Sequence, residues 1–98
     1  MTLEQYLWRH HADEMTDLVI AVLTSRFRPL ALVEWWAAMA EYRRPIDAMR
    51  DGRIDCAALV EMATEANPIT RAGWPEKVQI AADALRVAAR EARERGAA

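Results

Sequence analysis

The chain has 98 residues, 53% of them hydrophobic, with 13 basic and 15 acidic side chains and a formal net charge of −2. That length holds one core, so residues 1–98 are expected to form a single domain, and the apolar content excludes a disordered chain. The near-neutral charge excludes a global attraction to nucleic acid or to an anionic membrane.

Thr2, followed three residues later by Gln5, is a capping-box start. From there to Pro29 there is neither proline nor glycine. Leu3, Leu7, His11, Met15, Leu18 and Val22 share one helical face, which predicts a single helix over about 3–25. Such a helix is about 35 Å long. A compact chain of this size has a radius of gyration of about 13 Å. The helix must therefore bend, break near Asp13–Asp17, or project beyond its own domain. Ile20 and Leu23 point away from the main stripe.

The stretch Pro29–Arg44 is expected to organise the rest. Pro29 suits a first helical position, and Pro45 cannot continue a helix. Leu32, Val33, Trp36, Met39 and Ala40 form the expected core face, with Trp36 at its centre and Leu59, Val78 and Leu85 as companions. Trp35 and Tyr42 lie on a second apolar flank, expected at an interface.

After Pro45 a short helix is expected over 46–50, ended by Asp51-Gly52. Asp55 then caps a fourth helix over 56–66, and Asn67-Pro68 closes it. Residues 67–73 read as a loop. Pro75 opens the last helix, whose core face is rich in alanine, and Trp74 is expected to pack where the loop enters it. Ile80, Ala84 and Val87 make a second stripe on that helix. Fraying is expected over about 90–98. The fold class is all-α, a compact bundle of four to five helices: a long first, a Trp-rich second, a short third, a fourth, and an Ala-rich C-terminal helix.

No enzyme pattern is present. The chain lacks Gly-x-Ser-x-Gly and a phosphate-cradling Gly-rich loop. Cys56 is the single cysteine, so no intrachain disulfide forms, and it reads as a small buried apolar residue. His10 and Glu14 have ligand-like spacing, but no second histidine or cysteine pair joins them, so no metal and no cofactor is expected. His11 reads as a boundary histidine bonded to a neighbour. The start, MTLEQYLWRHH, does not resemble a signal peptide, and Leu18–Leu23 is too short to span a bilayer. A soluble, cytoplasmic protein with no membrane contact is expected.

Twelve of the thirteen basic residues are arginine. Codon bias in a GC-rich genome would account for this and the alanines together. An arginine patch at Arg26, Arg28, Arg43, Arg44, Arg50 and Arg53 would serve phosphate or an acidic protein if folding gathers it. Residues 46–66 have the outline of a helix-turn-helix, but the second helix carries Asp55, Glu61 and Glu65 and no basic residue. Nucleic-acid binding is thus the alternative reading. The leading one is a non-catalytic helical protein–protein interaction module with a regulatory, inhibitory or assembly role. Its expected interface residues are Ile20, Leu23, Trp35, Tyr42, Ile80 and Val87, and a two-fold homodimer is expected.

Overall fold

The first helix breaks at one residue. The computed structural model describes residues 1–44, 47–48 and 56–97, and places α1 at Leu3–His10 and α2 at Ala12–Ser25. His11 joins them with φ −135° and ψ 45°, outside the helical region. Its N–H still donates to the Leu7 carbonyl at 2.7 Å, and its carbonyl accepts from Met15 N at 3.1 Å, so two backbone bonds still span the corner. The charges match such a corner. Arg9 and His10 stand at the C-terminal end of α1, and Asp13 and Glu14 in the first turn of α2, each favourable to its helix dipole. The Thr2–Gln5 capping box forms as expected, with both bonds at 3.0–3.1 Å.

α2 ends in a Schellman motif. Phe27 N–H donates to the Val22 carbonyl and Arg26 N–H to that of Leu23, while Arg26 takes the left-handed conformation at φ 51°. The expected Pro29–Arg44 helix is shorter than its pattern. Pro29 precedes a 3₁₀ turn at Leu30–Leu32, and α3 covers only Val33–Met39.

The expected third helix, its Asp51-Gly52 end and the Asp55 cap lie outside the described residues, apart from helical Asp47 and Ala48. α4 spans Ala57–Glu65. Its first turn is served from the far end of the chain, where Glu4 Oε1 accepts from Cys56 N at 2.7 Å. The expected loop over 67–73 contains a further helix, α5, at Pro68–Arg71. Asn67 caps it by accepting from Thr70 N at 2.9 Å, and Pro68 takes its first position. α6 runs over Glu76–Glu94, and buried Ala92 shows that its packing continues past the expected onset of fraying at residue 90.

The architecture is all-α, and the described residues contain no strand. Its centre is α6, not the Trp-rich segment. α2, α4 and α1 all pack against α6. Its buried face is Val78, Ala81, Ala82, Leu85, Ala88, Ala89 and Ala92, mostly alanine, so three neighbours can approach closely. The radius of gyration is 12.7 Å and the extents are 37 × 32 × 19 Å. Packed helix axes lie about 8–10 Å apart, so a slab 19 Å thick holds two layers of helices. In such a slab each helix keeps an outward face.

Three core expectations change. Leu32, Leu59, Val78 and Leu85 are fully buried, but Val33 and Ala40 are exposed. Trp35 is 3% exposed and Trp36 sits only partly covered against the core. Leu32 and Met39 belong to either candidate stripe, so periodicity alone does not choose the side. The chain arrives through a 3₁₀ turn, which advances about 120° per residue and not 100°. Trp36 is then held at the rim, its Nε1–H donating to the Phe27 carbonyl at 2.7 Å.

Candidate interaction surface

The α2/α6 pair is fastened at both ends. At one end, His11 Nε2 lies 2.8 Å from Glu91 Oε2, close but not aligned as a hydrogen bond. At the other, the Phe27 and Trp74 rings meet with centroids 5.7 Å apart. Sixteen steps of chain separate His11 from Phe27, and seventeen separate Trp74 from Glu91. The helices therefore run antiparallel in a fixed register. Thr24 is level with Lys77, Ile20 and Ala21 with Ile80 and Ala81, and Asp17 with Ala84.

Those residues line a shallow groove of about 400 Å³ along the outer seam of the two helices. Its lips are apolar because both helices carry a second stripe. Ile20 is 48% exposed, Ile80 63% and Val87 68%. Ile80, Ala84 and Val87 share one face of α6 at helical spacing. Asp17 and Lys77 make no ion pair among the described residues.

The structure thus brings Ile20 and Ile80 together and sets Val87 on the same stripe. It does not bring the other three expected interface residues there. Trp35 is buried in the core, and Leu23 and Tyr42 pack partly covered against it. Their apolar flank is satisfied within the chain. Leu23 also lines a second groove of about 450 Å³ with Arg28, Val33, Trp36 and Ala40. There the Arg28 guanidinium lies 4.3 Å from the centre of the Trp36 ring. Leu30 and Val33, both strongly exposed, were missed as surface residues. A third groove, of about 410 Å³, runs between α1 and α4 and is acidic, with Glu4, Glu61 and Glu65 beside Arg93.

The expected arginine patch is covered by description only at Arg26, Arg28, Arg43 and Arg44; Arg50 and Arg53 lie outside the described residues. Arg26 closes α2 and Arg28 stacks on Trp36. Arg44 makes a two-pronged contact with Asp47, whose carboxylate accepts from it and holds its pKa above the ordinary value.

His10 rests against the Tyr6 ring, 4.5 Å between centroids. Among the described residues no group of three or more His, Cys, Asp or Glu is placed to hold a metal. Cys56 is buried at the start of α4. No described helix is long and apolar enough to cross a membrane. No protein-family model, curated protein or solved structure matches the chain.

Proposed function

We propose that this chain is a non-catalytic helical module of the cytoplasm that binds another protein through the α2/α6 face. The observation that carries this reading is the exposure of the large apolar side chains Ile20, Ile80 and Val87 along one face of the α2/α6 pair. Fully burying such a side chain returns about 1.5–3 kcal/mol, so covering the exposed portion of each returns about 1 kcal/mol or more. The surrounding helices are already packed, so a partner gains this without reordering the module.

The groove is open and has no converging catalytic groups, which favours a helix or another flat surface as its occupant over a small molecule. Regulatory, inhibitory and assembly roles all use such a contact. The experiment is photo-cross-linking in the native cell, with a benzophenone side chain at position 80 and, as a control, at position 69. Ile69 is 88% exposed, lies on the short helix α5 and does not line the groove. Protein adducts from position 80 and none from 69 support the reading. Equal labelling from both, or none from 80, counts against it.

A further inference from the structure

We propose that the α2/α6 face binds a second copy of the same chain about a two-fold axis, Lys77 of each copy meeting Asp17 of the other. This rests on the reading of that face as a protein-binding surface, and it names the partner.

The argument is charge complementarity at known positions. The fixed register gives the groove four corners: Thr24 and Lys77 at one end, Asp17 and Ala84 at the other. Seven residues of helix separate Lys77 from Ala84, about 10 Å along the axis. Packed helix axes lie about 8–10 Å apart, so the corners form a near-square. Lys77 and Asp17 occupy opposite corners, and neither is paired within the chain among the described residues.

A closed two-fold dimer sets one patch against itself, with the axis in the plane of contact. An axis along the groove puts Lys77 over Thr24. An axis across it puts Lys77 over Ala84. The Lys77–Asp17 diagonal stacks each charge on its own copy. Only the Thr24–Ala84 diagonal joins unlike charges, and it does so twice. It also places the two small corner residues against their own copies, where the surfaces must come closest. The helix pairs then cross at about a right angle, and Ile20 and Ile80 lie over the apolar seam of the other copy.

The test is sedimentation equilibrium from micromolar to millimolar concentration. The wild-type mass should rise from 11.1 kDa towards twice that value. Asp17→Lys alone and Lys77→Asp alone should each weaken association about tenfold, since each turns two attractive rim pairs repulsive. The double variant should return to within about threefold of wild type. Asp17 and Lys77 are both exposed, and circular dichroism checks that each variant folds. A wild type that stays at 11.1 kDa throughout overturns the proposal. So does a dimer whose strength neither single variant changes, or one that the double variant fails to restore. If the protein stays monomeric while position 80 still cross-links to a different protein, the self-partner falls and the docking reading stands.

Discussion

Trp35 and Trp36 are consecutive residues whose rings meet edge to face, with centroids 5.5 Å apart and planes at 89°, yet only Trp35 lies in the core. Trp36 seals the rim, bonded to the Phe27 carbonyl and covered on one face by Arg28. The two should therefore respond very differently to truncation. Trp35→Ala is expected to cost about 3–5 kcal/mol, the range for removing a large buried aromatic. Trp36→Ala should cost about 1–2 kcal/mol, the worth of one hydrogen bond and partial burial. Urea titration of both variants checks the order.

Arg26 holds a left-handed conformation without being glycine. That conformation costs an ordinary residue about 1–2 kcal/mol, and glycine adopts it freely at some cost in chain entropy. Arg26→Gly should therefore stabilise the fold by about 0.5–1 kcal/mol, read as a higher urea midpoint with an unchanged slope. A loss of stability would mean that the arginine side chain holds the corner by its own contacts.

Glu4, in the first turn of α1, accepts from Cys56 N at the start of α4 and ties two segments 52 residues apart. A carboxylate at a helix start accepts from an N–H that the helix's own carbonyls do not serve, and its charge suits the positive end of the dipole. Glu4→Ala should cost about 1–2 kcal/mol. Glu4→Gln, which keeps an acceptor and loses the charge, should cost less. Thermal unfolding of the pair distinguishes the acceptor from general packing of the side chain.

Trp74, 8% exposed, closes the end of the α2/α6 seam against Phe27 and lies 6.0 Å from the Arg71 guanidinium. Arg71 in turn pairs with Asp83 on α6. Trp74→Ala should cost about 3 kcal/mol or more. Because this contact fixes one end of the register, amide exchange in that variant should quicken most at Val22 and Val78, and least at Leu7.

Much of the architecture was legible in the chain. Alanine-rich spacing marked the buried face of α6, and Thr2 with Gln5 marked the start of α1. Two boundaries were misplaced although their signals were present. A break near Asp13–Asp17 was one expectation; it falls at His11, where Arg9-His10 followed by Asp13-Glu14 is the charge order of one helix ending and another beginning. Asn67-Pro68 reads as a stop after α4, yet a capping asparagine before a proline is equally a start. The surface was half legible. Ile80 and Val87 lie on one long regular helix, so their outward position follows from spacing alone. Trp35 and Tyr42 depend on how a short helix enters from a 3₁₀ turn, and that rotation is set by tertiary packing. That α2 and α6 lie side by side was not visible in either helix, so neither was the pairing of Ile20 with Ile80.

The central claim is that the α2/α6 face is apolar for contact with another protein and not for the fold. The most direct measurement is the unfolding free energy of Ile80→Asp/Val87→Asp in urea, at a concentration too low for association. The covered third of each side chain is worth about 0.5–1 kcal/mol, so the account predicts a loss below about 2 kcal/mol here. A loss of about 2 kcal/mol or more would show that Ile80 and Val87 stabilise the chain itself, and would contradict the claim.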